Sequence, residues 1–307
     1  MSRGEKIRQS YGTYSYTHLR VNHGPHDTPF ALQEIEARRP DIVLLEGAGL
    51  TRQQQNLLDT YITNPSQVGI FGDPYIDSLL HGLRELHQRT GYAPRVRGID
   101  YRADDKRLAS YERVIAQYQR LVPEYERQRM SFTQAQTYTK KVLTQFIAEN
   151  QKREVFMEAQ VQSILEAESD TTQKSPRSQT CLVLTGMKHR RVSDALRSHN
   201  VPGDVVVQER VYTQSFIDEY YNRGMYREPI PPELLACIVF TSVFHLFAVT
   251  FNVYTSTNEA SRNGFQRRVA AMFNEHDMER FYIAMLNQDK PTVMSLLQAR
   301  AIPTGNA

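Results

Sequence analysis

Residues 39–46 read Arg39-Pro-Asp-Ile-Val-Leu-Leu-Glu46, and this stretch decides the fold class that the sequence predicts. Its centre, Asp41 to Leu45, contains a short continuous apolar run at residues 42–45. It lacks the polar alternation of a strand with one face in water. An unbroken apolar run of this length is typical of a strand buried on both faces, as in a parallel sheet covered by helices. The stretch therefore predicts a buried strand and favours an α/β fold.

The segments on either side repeat the same alternation of strand and helix patterns. Short apolar runs predict further strands, and amphipathic stretches with helix-start signals predict helices between them. This order favours a mainly parallel sheet flanked by helices. We expect the further strands near Tyr14–Asn22, Val68–Phe71, Arg95–Ile99, Thr180–Leu184 and Asp204–Val211, and the helices near Phe30–Arg38, Thr51–Tyr61, Asp73–Gly91 and Arg190–Ser198.

Two regions of the chain lack strand patterns and are expected to be helical. Residues 104–168 form a long insertion, in which Ser131-Phe-Thr-Gln134 matches a capping box at a helix start. A second helical region follows the prolines of residues 229–232. The 307 residues suit two domains of about 150 residues each. We expect an α/β domain over residues 1–228, with the insertion at 104–168, and a helical C-terminal region over residues 229–307.

Leu234 to Phe251 is a run of eighteen residues without a charge. This length lies at the lower limit for a membrane span. Thr241, Ser242, His245 and Thr250 interrupt its apolar surface, so a helix buried in protein is favoured. The alternative is membrane association through residues 234–251, as a span or a membrane-dipping hairpin.

Composition and charge limit the classes of partner and compartment. Lys and Arg number 37 against 34 Asp and Glu, and a net charge of +3 does not indicate a nucleic-acid partner. Cys181 and Cys237 lie in apolar runs, which favours buried reduced thiols over a disulfide framework. Met1 to Ser10 is polar and contains no apolar signal region. These features predict a cytoplasmic protein.

Polar residues follow three of the predicted strands at the point where each strand ends. His23 and His26 follow the first strand, Glu46 follows the second, and His189 follows the strand at Thr180–Leu184. Parallel strands deliver their carboxyl ends to one edge of the sheet, where ligands bind in open α/β folds. We therefore expect these side chains to converge in a solvent-facing crevice. An ordinary turn or a solvated loop is the alternative for each cluster taken alone.

The order of these motifs resembles the TraB/Tiki superfamily, which is related in fold to ChaN-like and erythromycin-esterase-like proteins. The resemblance covers roughly residues 14–211. It rests on a strand ending in a histidine at Val21–His26, the stretch Arg39–Glu46, Gly98–Arg102, the helical Lys152–Met157 and the G-x-x-H ending of Val183–His189. The first motif reads H-G-x-H rather than G-x-x-H, so either His23 or His26 takes the family position. Glu154 follows Arg153 where the family more often has aspartate.

The resemblance implies a metal-dependent hydrolase of the peptidase type that acts on an amide or ester bond in a peptide or small molecule. His23 or His26, together with His189, would hold a divalent metal ion, and Glu46 would be a further ligand or the general base. Arg153, if it faces the crevice, would stabilise negative charge that develops in the reaction. One alternative is a metal-independent, esterase-like hydrolase in which His23 is the base and Glu46 orients it. The other is a non-enzymatic binding or signalling protein with a degenerate site.

Overall fold

A five-stranded, entirely parallel sheet flanked by helices confirms the predicted α/β fold in the computed structural model. The structure describes residues 14–21, 27–64, 66, 71–172, 179–186, 189, 191–198, 203–207, 214–251, 253–254, 259–300 and 302. The strands are β1 Tyr14–Val21, β2 Ile42–Leu45, β3 Arg95–Gly98, β4 Gln179–Gly186 and β5 Gly203–Val207.

Twelve helices are present within these described ranges. The first seven are α1 Thr28–Arg38, α2 Arg52–Tyr61, α3 Pro74–Thr90, α4 Lys106–Gln119, α5 Leu121–Arg127, α6 Phe132–Thr172 and α7 Arg191–Ser198. The helices of the C-terminal part are α8 Phe216–Met225, α9 Leu234–Thr250, α10 Glu259–Ala271, α11 Glu275–Leu286 and α12 Lys290–Gln298. The long helical insertion and the helical C-terminal part are therefore confirmed. The strand expected at Val68–Phe71 falls mainly outside the described residues, and Phe71 itself is not in a strand.

The strand order in the sheet is β3-β2-β4-β1-β5, so β4 enters between β1 and β2 although it comes much later in the chain. Its register aligns the carboxyl ends of its neighbours, because Val21 pairs with Gly186 and Leu45 pairs with Leu184. Leu45 also pairs with Gly98 at the end of β3. The segments that follow four strands thus start from one edge of the sheet.

The two faces of the sheet carry separate apolar cores. Val43 and Leu182 belong to the core on one face, together with residues of α1, α2 and α3. Ile42 and Val183 point to the other face and pack with residues of α6 and α7, including Met157. This alternation follows from the period of two along a strand, and apolar side chains on both faces explain the continuous runs in the sequence.

Local capping signals set several helix boundaries as predicted. The side chain of Asp73 accepts hydrogen bonds at the start of α3, and Gly91 ends that helix with a positive φ of 73°. Ser131 and Gln134 form the reciprocal hydrogen bonds of the predicted capping box at the start of α6. Such caps satisfy backbone N–H groups that have no partner within the helix.

The chain divides into two compact units, of which the first comprises residues 1–110 and 151–209 and the second comprises residues 111–150 and 210–307. The second unit thus groups part of the helical insertion with the C-terminal helices. Its apolar core contains many side chains of α9, among them Phe240, Phe244 and Phe247. The predicted burial of this helix within protein is confirmed, because most of its apolar residues are inaccessible. Among the described residues, no helix combines the length and apolar character needed to cross a membrane.

Candidate functional site

Five ionisable side chains lie buried together where the parallel strands end. Glu46 directly follows β2, Asp100 follows β3 after one residue, and His189 comes shortly after β4. Arg153 and Glu154 are adjacent on α6 and complete the cluster from the helix that covers this face. All five side chains are buried, which requires them to pair with one another or with other polar groups.

Glu46 is fixed by hydrogen bonds to both of its carboxylate oxygens. Its Oε1 lies 2.7 Å from Nη2 of Arg153 and 3.0 Å from Nε2 of His189. Its Oε2 accepts a hydrogen bond from the backbone N–H of Gly186 at 2.6 Å. The predicted approach of Glu46 and His189 is therefore present in the structure, and Arg153 also contacts this carboxylate. Two cations and a backbone amide stabilise the negative charge of Glu46.

Asp100 anchors Arg153 from the other side. The Nε atom of Arg153 lies 2.9 Å from Oδ1 and 3.1 Å from Oδ2 of Asp100, and Nη2 makes a further contact with this carboxylate. Asp100 also accepts a hydrogen bond from the backbone N–H of Tyr101 at 2.7 Å. This forked geometry fixes the plane of the guanidinium group, so Arg153 links the ends of β2 and β3.

His189 is held between two carboxylates. Its Nε2 faces Glu46, and its Nδ1 lies 3.1 Å from Oε1 of Glu154. Burial alone lowers the pKa of His189, but the charge of Glu46 and the hydrogen bonds to Glu154 and Glu46 outweigh burial and raise it to about 9. His189 is therefore an imidazolium at neutral pH. Our expectation of a solvent-facing histidine was wrong, because His189 is only 5% exposed.

Glu154, which the sequence marked only as a departure from the family pattern, is thus a partner of the predicted site residue His189. Three carboxylates, Glu46, Asp100 and Glu154, share the two cations Arg153 and His189. Removing one partner of such a buried pair typically costs about 3–5 kcal/mol, because the remaining charge stays buried without compensation. Loss of any one partner is therefore expected to destabilise the α/β unit.

A second buried histidine lies next to this cluster, and sequence reasoning missed it. His18 on β1 is fully buried, and its Nε2 lies 2.7 Å from the hydroxyl oxygen of Thr185, the residue before Gly186. Burial, followed by the charges of Arg20 and His189, lowers the pKa of His18 to about 3. His18 is therefore neutral at physiological pH. The available signal was the alternation along β1, because Tyr16, His18 and Arg20 share one face of a strand. This is the face on which Tyr16 packs with residues of α6 and α7.

The described donor atoms do not fit a metal ion in this arrangement. Both nitrogens of His189 face carboxylates, and both oxygens of Glu46 already accept hydrogen bonds. Among the residues that the structure describes, no three His, Cys, Asp or Glu side chains are grouped to hold one ion. His23 and His26, expected as ligands, lie outside the described residues. The metal requirement stays a prediction.

No protein-family model, curated protein or solved structure matches this chain. The resemblance to the TraB/Tiki superfamily rests on the order of the motifs alone and stays a prediction. What the structure adds is the geometry of Glu46, Arg153 and His189 at the carboxyl edge of a parallel sheet.

Proposed function

We propose that this protein is a hydrolase that cleaves an amide or ester bond by acid–base chemistry without a required metal ion. The observation that carries the proposal is the buried cluster in which Arg153, His189 and the Gly186 amide together occupy both oxygens of Glu46. Its place at the carboxyl ends of parallel strands is where open α/β folds bind their ligands. The saturated donor atoms favour this mechanism over the metal-dependent one.

In this mechanism the base is His23 or His26, which come soon after Val21 in the sequence. The histidine accepts a proton from a water molecule, whose oxygen attacks the carbonyl carbon of the substrate. The resulting tetrahedral intermediate collapses when the histidine returns the proton to the leaving oxygen or nitrogen. Because both oxygens of Glu46 already accept hydrogen bonds, Glu46 acts on the imidazolium that forms in between through its charge and not as a hydrogen-bond partner. Arg153 and His189 hold Glu46 in place.

The proposed substrate is a peptide or a small molecule with an amide or ester bond, and the proposed location is the cytoplasm. Cys181 and Cys237 are both free thiols, which accords with a reducing compartment. Cys181 is fully buried, and burial raises the pKa of its thiol, so it is not suited to act as a nucleophile.

The test is hydrolysis of p-nitrophenyl acetate and of aminoacyl p-nitroanilides by the purified full-length chain, with and without a chelator. We expect the same turnover in both conditions. Replacing the base with alanine, in His23→Ala or His26→Ala, is expected to lower kcat by about 10²- to 10⁴-fold. His81→Ala is the matched control, because His81 is exposed on α3 and pairs only with Glu85 among the described residues.

Two results would contradict the proposal. Turnover that disappears with the chelator and returns with added divalent metal would favour the metal-dependent hydrolase. Absence of turnover on every ester and amide, with a folded wild-type protein, would favour a binding or signalling role. Glu46→Gln adds a further check, since it keeps the shape of the side chain and removes the charge that would stabilise the imidazolium.

A further inference from the structure

The mechanism proposed above gives no part to His18, although this residue is buried beside the charged cluster. Its side chain is inaccessible to solvent, and burial lowers its pKa, so the imidazole is neutral and carries a single N–H. An imidazole placed among apolar side chains costs free energy that an aliphatic residue at the same position would not cost. The contacts of His18 therefore indicate what the residue does in this strand.

The surroundings of the two ring nitrogens determine which of them carries the proton. Nε2 lies 2.7 Å from the hydroxyl oxygen of Thr185, whereas Nδ1 is buried without a hydrogen-bond partner among the described residues. A buried N–H group without an acceptor is rarer in proteins than an acceptor without a donor. The proton therefore resides on Nε2, and His18 donates a hydrogen bond to the hydroxyl oxygen of Thr185.

Thr185 connects this hydrogen bond to the backbone of the next residue, Gly186. The Thr185 hydroxyl is buried, and it donates its own proton to the carbonyl oxygen of Gly186 at 3.3 Å. The backbone N–H of His189 donates to the same carbonyl oxygen at 3.1 Å. The backbone N–H of Gly186 donates to Oε2 of Glu46 at 2.6 Å. The two peptide groups that meet at Gly186 are therefore both held in place.

Gly186 needs such contacts because glycine has more backbone freedom than any other residue. Rotation about its backbone bonds would move the N–H away from Oε2 of Glu46 and release one of the hydrogen bonds that fix this carboxylate. A misplacement of about 1 Å in a catalytic group can lower a reaction rate about 10²-fold. The hydroxyl of Thr185 thus restrains a backbone position on which the placement of Glu46 depends.

We propose that His18 is a positioning residue for Glu46 in the hydrolytic site. It acts through the hydroxyl of Thr185, which orients the backbone of Gly186. Hydrogen bonds that run in one direction along such a chain polarise and strengthen one another. The contribution of His18 to turnover rests on the proposed hydrolase function, whereas its effect on the Gly186 backbone does not.

The first test is hydrogen exchange at the backbone amide of Gly186, followed by NMR in the full-length chain. Thr185→Val keeps the shape of the side chain and removes the hydroxyl. It should speed exchange at Gly186 about five- to tenfold relative to the amide of Leu182 within β4, the usual effect of one hydrogen bond. A general loss of stability would act on Leu182 as well. Thr185→Ser keeps the hydroxyl and should change this ratio by less than about twofold.

Variants of His18 test whether it acts through Thr185. His18→Leu should give a similar increase at Gly186, and adding it to Thr185→Val should have no further effect, because the two changes interrupt the same chain of hydrogen bonds. His18→Gln places an amide N–H near the position of Nε2 and should restore most of the protection. Thr137→Val is the matched control, since Thr137 is exposed on α6 and its hydroxyl bonds within that helix.

Turnover of p-nitrophenyl acetate is the second readout. Thr185→Val and His18→Leu should each lower kcat about tenfold and leave KM unchanged, because the charge of Glu46 acts on the imidazolium that forms during the reaction and not on the bound substrate. Unaltered exchange at Gly186, an equal increase at Gly186 and Leu182, or full kcat in a variant with faster exchange would each overturn the proposal. Absence of turnover by the wild-type protein would contradict the hydrolase function instead, and exchange at Gly186 would then decide whether His18 positions Glu46.

Discussion

Replacing His189 with alanine tests the charged cluster, and the structure sets the size of the effect. The pKa of His189 rises from 6.5 in an unfolded chain to about 9 in the folded protein. Each tenfold gain in proton affinity corresponds to about 1.4 kcal/mol, so proton binding stabilises the folded state by about 3 kcal/mol. The loss expected for one partner of a buried ion pair, about 3–5 kcal/mol, is of the same size.

The direction of the pH dependence follows from the raised pKa. The stabilisation by His189 is fully present below pH 6.5 and is lost as the pH rises through about 9, because the folded state then releases the proton that held it to Glu46 and Glu154. The difference in unfolding free energy between wild type and His189→Ala is therefore expected to shrink between these two pH values.

Urea unfolding followed by circular dichroism measures this difference across the pH range, and the imidazole NMR signal of His189 reports its pKa directly. His81→Ala is the matched control, since an exposed histidine should change the unfolding free energy by less than about 0.5 kcal/mol. A difference between wild type and His189→Ala that is independent of pH, or an NMR pKa near 6.5, would refute the ion-pair explanation.

Three further predictions concern other parts of the fold. Asp100→Asn removes the charge that pairs with Arg153 and should lower the unfolding free energy, measured in urea, by about 3–5 kcal/mol. The control is Asp104→Asn, in the exposed pair with Arg102, which should lower it by less than about 1 kcal/mol. Because the pKa of His18 is lowered from 6.5 to about 3 in the folded state, the unfolded state binds the proton more readily, and the folded state loses stability as the pH falls through this range. His18→Leu removes this loss and should move the midpoint of acid unfolding, followed by circular dichroism, to lower pH. An unmoved midpoint would contradict this explanation. Gly203→Ala should lower the unfolding free energy in urea by about 1–3 kcal/mol, because its new methyl group would meet the backbone carbonyl oxygen of Tyr16 on β1. Gly224→Ala would meet only side-chain atoms of Ile147 and should cost less in the same measurement.

Sequence patterns predicted the sheet well because the strands carry local signals. The apolar runs of β2 and β4 are buried on both faces, so they contain no polar alternation that would suggest an open sheet. Capping residues such as Asp73 and Ser131 determine helix starts through contacts within one turn. Features of this kind depend on neighbouring residues and can be recognised without knowledge of the fold.

The partners in the charged cluster depended on distant contacts and were harder to predict. Strand ends pointed to Glu46 and His189, and the resemblance pointed to Arg153, but nothing near His189 in the sequence shows that Glu154 would enclose it. The prediction that His189 is exposed to solvent was wrong for this reason: Glu154 on α6 supplies a carboxylate that compensates the charge of the buried imidazolium. His18 was missed because a single histidine within a strand gives no local sign of its partner Thr185.

The late arrival of β4 has a consequence for synthesis of the chain on the ribosome. Before β4 emerges, β1 has neither of its two partners and β2 can pair only with β3, so the centre of the sheet stays open while the helical insertion is being made. Unpaired strand edges invite association with other chains, and pairings that are distant in sequence form slowly. Nascent chains that stop before residue 179 should therefore engage holding chaperones, whereas chains that include β4 and β5 should be released.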